Sequence, residues 1–288
     1  FQYGNVDEAF SFIDFVMRKK NSNYIVSQLD LEEYNRSRMI ETFLYEAVEK
    51  NLFTLKYQPL YNVEFKKFRS LEALCRLNHP VLGEVLPSEF IPLAEKNNLI
   101  SDVGRLNFVS LCKFIQKHQA DMPTIISVKV NLSPIELLNP DLPSFLKNCI
   151  EEYRLKPEFF QFEITETVAT RYYDEVIEVT GKLKDIGFEL CLDDFGSGFA
   201  NMAAIMKLPF DVVKIDRSLI LDIHNNEKSK EFYRYIVNML KGLGYLIVSE
   251  GAERKEDIDF LLDFDINAIQ GYYYSKPLPI DELLDLLK

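Results

Sequence analysis

Residues 53–77 read FTLKYQPLYNVEFKKFRSLEALCRL. Two strand-forming runs, FTLKYQPLY (53–61) and FRSLEALCRL (68–77), meet across the short link NVEFKKF (62–68). A parallel crossover needs about a dozen residues or more, so this link makes a hairpin or tight return and sets the first strand antiparallel to the second. Downstream the pattern changes. Strand-like runs at 124–132, 159–166, 188–194, 211–216, 245–251 and 267–274 are separated mostly by amphipathic segments such as 101–118, 172–186, 228–243 and 255–263. Strands alternating with helices signal a parallel sheet, and eight strand signals in a unit of this length predict a closed (β/α)8-type barrel. The long stretch between the second and third strands has the apolar spacing of two helices, one of them at 88–96.

Upstream of the barrel, DEAFSFIDFVMRKK (7–20) has helical spacing, SNYIVSQLD (22–30) reads as a short strand or extended piece, and a second helix is expected over EEYNRSRMIETFLYEAVEKN (32–51). The expected division is therefore residues 1–30 as a leader or remnant of a preceding domain, 31–51 as a linker helix packing on the barrel, and 52–288 as the barrel.

Composition narrows the functional classes. The 288 residues hold 33 Lys plus Arg against 45 Asp plus Glu, a net charge of −12, which argues against a protein that wraps a long nucleic acid. Apolar residues at 47% and charged residues at 27% fit a globular chain, and no apolar run approaches the length of a membrane helix. Cys75, Cys112, Cys149 and Cys191 are spaced too widely for a CxxC site or a compact disulfide framework, and His79, His118 and His224 offer little material for a histidine metal site. A reducing, cytoplasmic setting is expected for this segment, whatever tethers a longer parent.

Polar residues fall where apolar strands end. Glu72, Asn131, Glu163 and Glu166, Asp193 and Asp194, Lys214 and Asp216, Glu250 and Glu253, and Gln270 come from successive strand signals. Any one of them reads as a solvated strand end; as a ring on one barrel face they read as a site. Charges inside LEALC, FEIT, VKID and IVSEG are costly unless paired or bound to metal. Oxygen donors without His or Cys suit Mg2+ or Mn2+. Two such ions about 3.5–4 Å apart would share an aspartate and activate a water for in-line attack at phosphorus, with Lys214 orienting that water or stabilising phosphate charge. Asp193 and Asp194 are adjacent, so both reach one site only if the strand has ended there, before the turn FGSG with Gly196 and Gly198. The run YYYSKPLP (272–279) reads either as core and lid packing or as a base-stacking platform.

Taken together, YQPL (57–60), LEALCR (71–76), FIPLAE (90–95), NLS (131–133), FEITE (162–166), DDFGSG (193–198), KID (214–216), SEGAE (249–253) and QGYYYSKPL (270–278) resemble the EAL-domain cyclic-di-GMP phosphodiesterases, in order, over about residues 52–280. The resemblance implies an α/β fold, a modified TIM (β/α)8 barrel with the first strand antiparallel, and metal-dependent hydrolysis of cyclic-di-GMP to linear pGpG. It implies that Glu72, Asn131, Glu163 and Asp193 hold one metal, that Asp193 bridges to a second, and that Asp194 and Glu250 lie nearby. Lys214 would contact the water. Gln58 and Arg76 would bind substrate, Gln270 would shape the site, Glu166 would anchor the loop after Asp194, and Asp216 and Glu253 would lie in the outer shell. It further implies a homodimer and an attached N-terminal regulatory or degenerate cyclase domain, since residues 1–30 resemble the end of a GGDEF-type domain. The alternative is a non-catalytic cyclic-di-GMP-binding regulatory module. Leu77 stands where the family usually has Trp, and FGSGFAN and SEGAER depart from the commoner loops without removing a candidate ligand.

Overall fold

The structure is a computed structural model and describes residues 6–19, 27–198, 205–221, 223 and 226–288. It divides into two compact units, one of residues 54–75 and 104–288, the other of residues 1–53 and 76–103.

The larger unit carries the barrel. Its strands are β1 (Phe53–Asn62), β2 (Lys67–His79), β4 (Ser127–Asn131), β5 (Phe160–Thr165), β6 (Glu189–Phe195), β7 (Val212–Ile215), β8 (Leu246–Glu250) and β9 (Ala268–Gln270). They follow the order β1-β9-β8-β7-β6-β5-β4-β2, and a further β1–β2 pairing closes the ring of eight. All neighbours from β2 round to β9 are parallel, whereas β1 pairs antiparallel with β9. The hairpin expected from the 62–68 link is present. The Asn62 side chain accepts from the Phe65 N–H at 2.9 Å, and Lys66 takes a left-handed φ of 51°, which turns the chain in four residues.

Helices follow the parallel strands: α5 (Pro134–Leu137) and α6 (Leu142–Glu152) after β4, α7 (Glu166–Arg171) and α8 (Tyr173–Ile186) after β5, α9 (Ser218–Leu221) and α10 (Glu227–Gly242) after β7, α11 (Lys255–Leu261) after β8, and α12 (Ile280–Leu286) after β9. Alternate strand residues, Phe160, Phe162 and Ile164 on β5, Leu190 and Leu192 on β6 and Val213 on β7, pack into the main core with Leu183, Val237 and Leu240 of the helices. Alternate residues face the barrel interior, where Leu60, Cys191, Val212, Val248 and Ala268 form a separate apolar cluster.

Two expectations need correction. Residues 267–274 do not form one long strand: β9 is only Ala268–Gln270, and the tyrosines follow in a turn. The physical reason is Gly271, where a Cβ would lie 2.0 Å from the Ala252 carbonyl oxygen, so the chain is pressed against the loop after β8 and bends. Tyr274 then stacks on Tyr61, with centroids 4.2 Å apart and planes 9° apart, while Tyr272 and Tyr273 are exposed. Likewise, the predicted extended piece at 22–30 is partly helix. Ser27 caps α2 (Gln28–Glu49) through a reciprocal pair with Asp30, so residues 28–30 form its first turn; residues 22–26 lie outside the described residues.

The smaller unit holds α1 (Val6–Lys19), α2, the short strand β3 (Gly83–Val85), which pairs antiparallel with the end of β2, and α3 (Pro87–Lys96). Phe12 and Val16 of α1 bury against Tyr34 of α2. Arg36 on α2 reaches Glu89 on α3 at 2.6 Å, and Lys96 reaches Glu41 at 2.9 Å. The helix α4 (Ile100–His118) begins in this unit and runs into the larger one, which gives the two helices expected between the second and third strands. Among the described residues no helix is long and apolar enough to cross a membrane.

Candidate active site

Side chains from all eight barrel strands meet inside one end of the barrel. Lys214 is 1% exposed, and its Nζ lies 2.6 Å from Glu250 Oε1, 2.9 Å from Glu163 Oε1, 3.0 Å from Asp193 Oδ1 and 3.4 Å from Glu72 Oε2. Asn131 donates to Glu72 Oε1 at 2.8 Å. Gln270 donates to Glu72 Oε2 at 2.5 Å and to Gln58 Oε1 at 3.1 Å, and Gln58 donates in turn to the Ser275 carbonyl at 3.0 Å. Gln58, Glu72, Asn131, Glu163, Asp193, Lys214, Glu250 and Gln270 are thereby brought into one connected set.

Asp194 joins by a route the sequence did not show. β6 does not end at the aspartate pair; it runs on to Phe195. Its register against β7 shifts between Leu192 and Phe195, and Asp194 sits at a left-handed φ of 56°. This bulge, not a strand end, turns both side chains the same way. Asp193, Asp194 and Glu250 each offer an oxygen within 4.8 Å of the others.

Around this set, Glu166 accepts from the Gly196 N–H at 2.8 Å, at the turn where Gly196 has a φ of 94°. Gly198 lies against the same carboxylate, since a Cβ there would come 3.3 Å from Glu166 Oε1. Asp216 accepts from the Ser218 N–H at 2.9 Å, and Glu253 pairs with Arg217 at 2.8 Å. Residues 199–201 of the DDFGSGFAN loop lie outside the described residues. Arg76, four residues beyond Glu72 on β2, is counted with the smaller unit, where its Nε lies 3.7 Å from Glu84 Oε1.

One ammonium among so many carboxylates leaves an excess of negative charge. Burial, with Glu72 and Asp193 close by, pushes Glu163 well above the usual carboxylate range. Burial also raises Glu250 to about 7, against the pull of Lys214, and raises Asp194 to about 6 with help from Asp193 and Asp216. Glu72 goes the other way: burial opposes its charge, but Lys214, Gln270 and Asn131 together outweigh burial and hold it low. Burial likewise works against the charge on Lys214, and Asp193, Glu163, Glu250 and Glu72 overcome it, so the ammonium is firmly protonated.

The donor set fits a hard divalent cation. Both oxygens of Glu163 and Asp193 Oδ1 are buried without a hydrogen-bond donor, the only cation near Glu163 Oε1 and Asp193 Oδ1 in this set being Lys214 at ion-pair distance. Buried carboxylate oxygens left without donors, beside an amide oxygen and with no thiolate or imidazole in the group, suit Mg2+ or Mn2+.

The EAL domain model matches residues 42–277. The chain belongs to the EAL domain family. Among curated relatives, this EAL chain is 33% identical over 261 residues to the uncharacterized protein y4lL of Sinorhizobium fredii, covering 91% of this chain and 31% of that protein. It is 29% identical to the cyclic di-GMP phosphodiesterase NbdA of Pseudomonas aeruginosa, over 94% of this chain and 34% of the relative. Among solved structures, the PaMucR phosphodiesterase in complex with c-di-GMP superposes with a TM-score of 0.79 at 28% identity, covering 85% of this chain and 99% of that one. The chain spans about a third of the length of the curated relatives it matches.

Sequence reasoning missed a row of interior residues, Lys129, Gln161 and Glu189. The signal available was a lysine inside the apolar run ISVKV, which the end-of-strand criterion passes over.

Proposed function

We propose that this EAL domain is a metal-dependent phosphodiesterase that opens one phosphodiester bond of cyclic-di-GMP to give linear pGpG. The observation that carries the reading is the buried Lys214 ammonium held among Glu72, Glu163, Asp193 and Glu250, with Glu163 oxygens left without hydrogen-bond donors. Glu72, Asn131, Glu163, Asp193, Asp194 and Glu250 would hold two Mg2+ or Mn2+ ions. Bound there, such ions supply Lewis-acid activation of a water and neutralise phosphate charge.

The chain's own groups do the rest. Lys214, fixed by four carboxylates, is positioned to donate to a water or a phosphoryl oxygen as charge develops. Gln270 is aimed by its bonds to Gln58 and Glu72, and both glutamine amides would face the substrate. Arg76, in the LEALCR motif, is assigned to a substrate phosphate as a bidentate donor. Glu166 fixes the loop carrying Asp194 by holding the Gly196 amide. Asp216 and Glu253 brace the loops around it.

The test is product chromatography of cyclic-di-GMP incubated with the protein and Mg2+ or Mn2+, beside cyclic-di-AMP and pGpG. Conversion to pGpG that stops on chelation supports the reading. Tight binding with no product in either metal would replace it with a nucleotide-binding regulatory module. Two further proposals accompany it: a homodimer, checked by sedimentation of the isolated domain, and an N-terminal regulatory domain in the parent, a reading supported by the length of the relatives.

A further inference from the structure

Beneath the carboxylate ring, four neighbouring strands carry a row of polar and charged residues in register. Glu72 on β2 pairs with Lys129 on β4, Lys129 with Gln161 on β5, and Gln161 with Glu189 on β6. These are interior positions, two residues before Asn131, Glu163 and Cys191 on their strands. Lys129 is 2% exposed and its ammonium donates to Gln161 Oε1; Gln161 Nε2 donates to Glu189 Oε2, and Glu189 is half-buried. The same row continues below as a contact of 3.0 Å between the Ser70 and Ser127 hydroxyls. A lysine sealed inside a barrel next to an apolar cluster is expensive unless its charge is used. Here it is the register neighbour of Glu72, so a fixed positive charge lies against the ring.

We propose that Lys129 is a positioning residue: a fixed internal counter-charge, oriented by Gln161 and Glu189, that keeps the carboxylate ring assembled without metal and lowers the ring's affinity for divalent ions. The inference rests on the metal-binding reading above. The sign follows from charge. Removing a positive neighbour favours any cation in the ring, and a divalent ion gains twice what a proton gains. Metal binding therefore tightens even where the ion must displace a proton. Glu189 acts in the opposite sense, since it partly offsets Lys129 from the far side.

The experiment is calorimetric titration of Mn2+ into metal-free protein, wild type against Lys129→Met and Glu189→Gln, with circular dichroism to check folding. With one unit charge removed from beside the ring in a partly screened interior, Lys129→Met should tighten Mn2+ binding by roughly tenfold. Glu189→Gln, farther away, should weaken it about two- to threefold. A merely structural row predicts weaker binding in both variants, so equal signs or no change would overturn the inference while leaving the metal reading intact. Wild-type protein that binds no Mn2+ would overturn both. Should Lys129→Met fail to fold, Lys129→Gln, which removes the charge but keeps an amide donor for Gln161, takes its place: unchanged or weaker Mn2+ binding overturns the inference.

Discussion

Inside the barrel, two sectors sit side by side. Under β6 to β9 and β1 the interior is apolar, made of Leu60, Cys191, Val212, Val248 and Ala268. Under β2, β4 and β5 it is polar, with Ser70, Ser127, Lys129 and Gln161 leading to Glu189. Both sectors support the same ring of side chains, yet they do so by different physics. The apolar sector holds its strands by packing and brings no formal charge of its own to the site. The polar sector interacts through a lower dielectric with that charge, so its state and the state of the ring are coupled. The first sector contributes packing beneath the ring, and the second contributes to the electrostatics of the site.

The largest effect should come from the ring that both sectors support. Lys214→Ala or Glu72→Gln should lower pGpG formation by at least about 10³-fold, because a preorganised donor or ligand is lost. A rate within tenfold of wild type, read by product chromatography, would remove Lys214 from the chemistry. In the apolar sector, Leu60→Ala should destabilise the domain by about 2–5 kcal/mol in urea unfolding, through lost burial and a cavity. Its Mn2+ affinity measured on the folded protein should stay near wild type; a tenfold loss there would mean that the two sectors are not separable.

Proton competition gives the next test. Glu250 at about 7 and Asp194 at about 6 are both raised above their ordinary values. Their protonated forms are favoured in the metal-free fold, so this contribution is fully present below about pH 4 and is lost as pH rises through about 6 and 7. Metal replaces those protons, so the rise in Tm produced by Mg2+ should be larger at pH 8 than at pH 6. An increment that does not change with pH would contradict the assignment of these two carboxylates to the metal. The smallest change concerns the bend after β9. Gly271→Ala should cost about 1–3 kcal/mol as the backbone shifts away from Ala252, visible as a lower urea midpoint.

Much of this was legible because charge inside apolar runs is conspicuous. Glu72 in LEALC, Glu163 in FEIT and Lys214 in VKID interrupt strands that otherwise fit burial, and the structure brings all three together. The reversed first strand was legible from the length of one link. The aspartate pair was less so, because a bulge at Asp194 depends on pairing with β7, and a turn signal after it looks the same whether the strand stops or bends. The polar row was not legible at all. Lys129, Gln161 and Glu189 each look like the polar half of an alternating strand, and only the register between strands makes them neighbours. The tyrosine run misled for a similar reason: aromatic residues favour strands, but a close approach at Gly271 overrides that preference.

The place of β1 at the closure of the ring also governs when the site comes into existence. Tyr57 pairs with Leu278, and Gln58 bonds to Ser275 and Gln270, partners separated by 217 and 212 positions along the chain. The ring is shut by joining its first strand to its last, a contact of very high sequence separation and therefore of high closure entropy. During synthesis the earlier strands can pair as they emerge, but Glu72 has no Gln270 to hold it until the end of the barrel has left the ribosome. An incomplete chain therefore presents scattered carboxylates rather than a site, and chemistry waits on closure.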